Sequence, residues 1–364
     1  MPYLLVEVGS GASSLSGRGN GTAVQTRNAG AIGPPLQREG FELSNLLRTV
    51  ALAGAALAAM VLPAAAQDYP TKPVKVIVPF AAGGGTDVYG RIWAEEMSKE
   101  FGQRFLVENQ PGAAGAIGTK AGIASPPDGY TLILGTASTI AINPHTMGDI
   151  GYAPLTELTP IGLLVYTPWV IVASAREPYD TVAEMLEHGK ANPGSLTFGT
   201  WTSTGEMGRK LLELRTGVEL LPVPYDGAVA AMNDLVAGRA AVAKLDLSTA
   251  VPFIASGDIK ALAVTGPETS ELMPGLPAIV DANVTDFNVD SWIGLFAPVG
   301  VPEDVVQKLN EATVRVLSKP EIKAQLADLG GEVFPFTPAE ATEFVTTHNG
   351  RWGDVVAETG SAAD

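Results

Sequence analysis

The sequence predicts an α/β protein of two lobes, each a mostly parallel sheet flanked by helices, facing one another across a cleft. Three observations carry this expectation. The chain has 364 residues, enough for two domains of ordinary size with real cores. Short β-branched or apolar runs alternate with helical periodicities along most of it, the pattern of parallel sheets built from β/α units. One motif, a strand entering a turn of small residues and then a helix N-terminus, occurs in both halves, first at residues 74–88 and again at 196–206.

The first copy is the clearest element. Val74-Lys75-Val76-Ile77-Val78 reads as a buried strand ending at Pro79-Phe80. Gly83-Gly84-Gly85 follows, and then a helix with Thr86 or Asp87 as N-cap and apolar positions at Val88, Ile92, Trp93, Met97 and Phe101. Adjacent glycines let backbone approach a ligand closely. A helix N-terminus offers unsatisfied N–H groups and about half a positive charge, which suits an anion. A phosphate loop would need a Lys after the glycines, and the dinucleotide pattern fails because its third glycine position is Val88. A carboxylate site remains, or a tight turn with no ligand.

The rest follows in order. Residues 105–109 and 130–135 read as strands on either side of a small-residue helix at 114–124, and Thr136-Ala137-Ser138-Thr139 as a polar loop. Both this loop and the glycine turn fall at C-terminal strand ends, where parallel sheets bind ligands. Residues 161–174 form a long extended stretch broken by Pro168. A helix at 181–190 and a strand at 196–198 lead to the hydroxyl-rich turn 199–205 and a helix at 206–214. Strands at 220–225, 240–245, 259–265 and 291–297 and helices at 228–237, 301–317, 320–329 and 338–358 complete the expected elements.

The formal charge of −16 argues against nucleic acid and anionic membranes as partners. An anionic ligand must then be held by local dipoles, which is feasible because distant charge is screened beyond about 8 Å. With no cysteine, thiolate metal sites and Cys nucleophiles are excluded. His145, His188 and His348 share no ligand-like spacing, so no metal is expected, and no cofactor motif is present. The turn at 201–205 has Trp where a nucleophile elbow needs Gly. Trp201 is read as a cleft wall because its neighbours are turn-type polar residues, and Arg209, one turn on, as a candidate second charge partner.

Leu46-Leu47-Arg48, the apolar run 49–62 and Ala64-Ala65-Ala66 describe a secretory signal peptide over 41–66, cleaved after Ala66. The run is short for a membrane span, which needs about 20 residues; an uncleaved anchor is the alternative. Residues 1–40 are Gly-, Ser- and Ala-rich without periodicity, and are read as a mis-annotated leader or a disordered extension.

Several ordered runs carry a family resemblance: Tyr69-Pro70-Thr71-Lys72-Pro73-Val74 leading to Pro79-Phe80-Ala81-Ala82-Gly83-Gly84-Gly85-Thr86-Asp87, Val107-Glu108-Asn109-Gln110-Pro111-Gly112, Pro127-Asp128-Gly129-Tyr130, Val223-Pro224-Tyr225 and Trp292-Ile293-Gly294-Leu295-Phe296-Ala297-Pro298. They resemble the Bug family, the periplasmic solute-binding proteins of tripartite tricarboxylate transporters, over essentially all of 68–360. The resemblance implies a type II periplasmic-binding-protein fold, with two Rossmann-like α/β lobes joined by two crossover strands. Lobe 1 would comprise 68–168 plus 293–364 and lobe 2 169–292, with crossovers near 163–172 and 290–297.

It further implies a small carboxylate bound in the cleft, periplasmic localisation, membrane permease subunits as partners and a monomeric state. Carried over, the first wall comprises Phe80, Ala82, Gly83, Gly84, Gly85, Thr86 and Asp87. The opposing wall comprises Thr200, Trp201, Thr202, Ser203 and Thr204, with Thr136 and Ser138 lining the cleft. Asp246 stands about one place from an acidic position of the family. The family's second-lobe His is replaced by Glu206, Met207 and Gly208, so tricarboxylate specificity is not carried over. The implied function is non-catalytic capture and delivery. Ligand sensing at a membrane receptor, or an enzyme using the same cleft, are the alternatives.

Overall fold

The computed structural model describes residues 69–167, 169–265, 273–287, 289 and 291–362. The expected leader, signal peptide and cleavage site, and Pro168 and Asp290 of the expected crossovers, lie outside them.

Among the described residues, ten strands form two five-stranded sheets. The chain lays down β1 (Val74–Val78), β2 (Phe105–Asn109), β3 (Thr131–Thr136) and β4 (Leu158–Thr167) in the first sheet. It then builds the second from β5 (Trp169–Ser174), β6 (Thr197–Thr200), β7 (Leu221–Pro224), β8 (Val242–Asp246) and β9 (Ile259–Val264), and returns as β10 (Ser291–Pro298). The orders are β2-β1-β3-β10-β4 and β7-β6-β8-β5-β9. These are one topology written twice. In each sheet three strands run parallel, and the fourth, antiparallel to both its neighbours, has just crossed from the other sheet. This is the two-lobe, two-crossover α/β fold that the sequence predicts.

Nine helices of eight or more residues pack on the sheets: α1 (Gly85–Phe101), α2 (Ala116–Ile123), α3 (Val182–Ala191), α4 (Ser203–Thr216), α5 (Ala228–Ala237), α6 (Leu247–Ser256), α7 (Glu303–Ser318), α8 (Pro320–Asp328) and α9 (Pro338–Glu358), counted among the described residues. Under the first sheet, Val76, Val78, Leu132 and Leu295 pack with Trp93 and Met97 of α1 and Leu309 and Val316 of α7. On one side of the second, Val170, Val172, Ala243 and Leu245 pack with Met232 and Leu235 of α5. A third cluster joins Phe198, Met207 and Leu211 to Trp292, Phe296 and Trp352, so α9 shares a core with residues of both sheets. Its end is pinned to α4 by a bidentate Arg215–Glu358 pair at 2.5 and 2.9 Å.

Four local expectations are corrected. The N-cap of α1 is Gly84, in extended conformation (φ −81°, ψ 168°), not Thr86 or Asp87. Residues 136–139 are not a loop: Ala137–Ile142 is a π-helical run that continues into a turn of α-helix at Asn143–Thr146. Helix α4 begins at Ser203 rather than 206, because the Thr202 hydroxyl caps it by accepting from the Gly205 amide at 3.0 Å. Helix α6 lies where no helix was expected, and carries Pro252 inside it.

Candidate functional site

A small cavity, with ≈ 40 Å³ of space open to the centres of water-sized spheres, lies where the C-terminal ends of parallel strands from both sheets face each other. At five points around it a strand, or the turn that follows one, opens a helix. The N-cap residues Gly84 (α1), Thr136 (π-helical run), Thr202 (α4), Gly227 (α5) and Asp246 (α6) all line the same cavity. Five helical N-termini, three from the second sheet and two from the first, therefore converge on one small volume. Their partial positive charges add in a space that holds little water. Gly84 and Gly227 bring no side chain to cap their own helices.

The glycine turn is held open by its neighbours. Gly83 has φ +83°, a left-handed conformation that glycine adopts without strain. Its amide donates to Asp87 Oδ2 at 2.9 Å. Asp87 also accepts from Arg91 Nε at 3.0 Å and Asn109 Nδ2 at 2.9 Å, and Asn109 Nδ2 donates to the Phe80 carbonyl at 3.1 Å. Burial works to raise the Asp87 carboxyl, but the bonds from Arg91, Gly83 and Asn109 outweigh it and hold the group below its ordinary range. Asp87 braces the loop from behind and does not line the cavity.

Across the cleft, Ser138 Oγ and Thr204 Oγ1 are 2.8 Å apart and the Thr204 amide donates to Ser138 Oγ at 3.1 Å. Ser203 Oγ turns away from the cavity and donates to Asn143 Oδ1. At the mouth, a Cβ on Gly227 would stand 3.0 Å from Ala81 Cβ, and one on Gly83 3.3 Å from Val229 Cγ2. The two walls thus touch, and the cleft is shut.

The inner wall is aromatic and acidic. Trp169 and Asp246 are cross-strand partners between β5 and β8. The Trp201 ring lies parallel to that of Trp169 within 15°, with centroids 6.5 Å apart. Lys244 Nζ sits 3.5 Å from the Trp169 ring centroid, a cation–π contact. Trp169 Nε1 is buried and has no hydrogen-bond partner among the described residues. Burial pushes the Asp246 carboxyl up to about 6, while the Lys244 charge pulls the other way.

Of the expected site residues, Phe80, Gly84, Gly85, Thr86, Thr136, Ser138, Trp201, Thr202, Thr204 and Asp246 line the cavity. Ala82, Gly83, Asp87, Thr200 and Ser203 do not. Thr200 and Ser203 instead border an adjacent depression with Glu206, Lys210 and Tyr225. Arg209 is not a second charge partner in the cleft. Its guanidinium bonds Glu206 Oε2 at 3.1 Å, Glu213 Oε2 at 2.7 Å and the Leu220 carbonyl at 2.8 Å, and is 6% exposed.

Sequence reasoning missed Ala81, Trp169, Gly227, Ala228 and Ser291. Gly227 had a usable signal, since 223–228 repeats the strand, small turn and helix start of the other two sites. Trp169 and Ser291 stand at the two crossovers and reach the cavity through tertiary arrangement alone.

Two mirrored α/β lobes, closed over a small polar cavity at their strand ends, define the class of two-lobed solute-binding proteins. The chain belongs to the tripartite tricarboxylate transporter family receptor (TctC) family, whose model matches residues 89–361. It is 31% identical to Protein BugT of Bordetella pertussis over 322 residues, covering 87% of this chain and 99% of that one. Among solved structures, an R. palustris protein with adipate superposes with a TM-score of 0.79 at 31% identity, covering 81% of this chain and 99% of that one. MatC from Rhodopseudomonas palustris with bound malate superposes at 0.76 and 31% identity, covering 79% and 100%.

Proposed function

We propose that this protein captures a small carboxylate in the periplasm and delivers it, unchanged and as a monomer, to the permease subunits of a tripartite tricarboxylate transporter. The observation that carries this is the convergence of five helical N-termini on a cavity that, among the described residues, no Lys, Arg or His lines. Such a field stabilises an anion without a fixed cationic side chain, which fits a molecule of net charge −16. The hydroxyls of Ser138 and Thr204 bond each other rather than a general base, which supports binding without chemistry. The adipate and malate held by the two R. palustris proteins are small carboxylates.

The test is calorimetric titration of the chain from residue 67 onward with mono-, di- and tricarboxylates. Saturable binding of at least one is expected, with a stabilisation of about 2.7 kcal/mol when ligand stands at a hundred times Kd. A complete absence of binding across all three classes would remove the proposal.

A further inference from the structure

The cavity has a second chemical character that an anion alone leaves unused. Among the described residues, Asp246 is the one charged side chain that lines it. It stands as N-cap of α6 but makes no side-chain capping bond, so its carboxylate is not committed to its own helix. Its cross-strand partner is Trp169, which places the carboxyl and the indole as neighbours on one face of the second sheet. Trp201 stacks on that indole and lines the same wall.

We propose that Asp246, flanked by Trp169 and Trp201, forms a subsite for a protonated amine, so that the ligand is an amino-carboxylate held at both ends. This rests on the carboxylate reading of the site given above.

The chemistry divides the cavity. The helix N-termini and hydroxyls offer donors and partial positive charge, the proper surroundings for a carboxylate. Asp246 offers an acceptor and a full negative charge. A second ligand carboxylate there would meet like charge in a space with little water to screen it. An ammonium group meets an opposite charge instead, beside the Trp201 ring that lines the same wall. Lys244 makes the cation–π contact with Trp169 and acts on the Asp246 charge, but does not reach the cavity. It is two residues back on β8 and packs beneath α4, where a Cβ on Gly208 would stand 3.4 Å from its Nζ, and it is absent from the cavity wall. The raised Asp246 carboxyl is consistent with a charge that its own surroundings leave under-compensated.

Matched ligands that differ only by an amino group test this by calorimetry at pH 7.5: succinate and aspartate, glutarate and glutamate, butyrate and 4-aminobutyrate, 3-phenylpropionate and phenylalanine. Wild-type protein should bind the amino member of at least one pair tenfold or more tighter. Asp246→Asn should lose at least tenfold of that preference. Circular dichroism confirms that the variant is folded. An amino preference that survives Asp246→Asn overturns the assignment. So does a wild type that prefers the plain carboxylates and binds them tenfold tighter once Asp246 is replaced; carboxylate capture itself would then stand. If neither series binds wild type, the carboxylate reading falls and this inference falls with it.

Discussion

Gly83 and Gly84 are adjacent and need glycine for different reasons. At Gly83 the left-handed φ of +83° forbids a branched side chain on conformational grounds. Gly84 has an ordinary φ, and a Cβ there meets only the Ala81 carbonyl oxygen, at 3.7 Å. Gly84→Val should therefore fold, and should lower carboxylate affinity tenfold or more by placing bulk at the mouth of the α1 N-terminus. One lost charge-assisted hydrogen bond is worth about 1.5–3 kcal/mol. Calorimetry beside a denaturant melt separates the two effects, and unchanged affinity would make the loop a mere turn.

Asp246 gives a prediction of the opposite sense. Its carboxyl rises from 3.8 unfolded to about 6 folded. The native state therefore holds a proton more tightly, and stability falls as pH climbs between those values. Asp246→Asn should stabilise the ligand-free protein at pH 7.5 by about 3 kcal/mol and leave it unchanged near pH 3.5. Matching denaturant midpoints for variant and wild type at pH 7.5 would refute this. Trp201→Ala should weaken an aromatic carboxylate by several-fold to a hundredfold and a small aliphatic one far less, since stacking adds about 0.5–1.5 kcal/mol to burial. Equal losses would make Trp201 structural. Residue chemistry of this kind was partly legible in sequence: Trp201 stood out among hydroxyls, and Asp246 stood about one place from an acidic position of the family that the chain resembles. Trp169 was not, because a Trp in a β-rich run reads as core until its cross-strand partner is known.

At the scale of elements, the brace behind the glycine turn is testable apart from the cavity. Asp87→Ala removes the acceptor shared by Gly83, Arg91 and Asn109. It should cost about 2–3 kcal/mol of stability and weaken ligand binding although Asp87 touches no ligand space. Denaturant melts and calorimetry together check this; full-strength binding would show that the loop holds its shape without the brace. Strand and helix identities were legible wherever β-branched runs or periodic apolar positions stood alone, as in β1 and α1. The π-helical run 137–142 was not, because nothing in local composition marks an i→i+5 turn. Helix α6 was not legible either, and carries Pro252 in its second turn, where it removes only one internal hydrogen bond.

Taken whole, the two sides of the molecule are joined by the core that α9 shares with both sheets, by the Arg215–Glu358 pair and, at the cavity itself, by few bonds. The Ser138–Thr204 pair and the Ser203–Asn143 bond tie the walls together. Ser138→Ala should shift the ligand-free protein toward an open form. Small-angle scattering should then show a larger radius of gyration, and apparent affinity should fall several-fold as the closed population drops. An unchanged radius would place the latch elsewhere. Processing is a separate question of the whole chain: mass spectrometry of secreted protein should find Gln67 at the N-terminus, and peptides from residues 28–38 would contradict the leader reading. The paired sheets were legible because one motif repeats. Closure was not, because contacts such as Ala81 with Gly227 join residues far apart in the chain, and no local pattern encodes them.

Main-chain dipoles at the ends of strands persist whatever side chains the helices carry. An anchor assembled from them tolerates sequence drift that would erase a guanidinium or ammonium clamp. The wall made by Trp169, Trp201 and Asp246 has no such protection, since each member is a side chain. Divergence within a lineage built this way would change cargo while leaving the handle by which cargo is gripped.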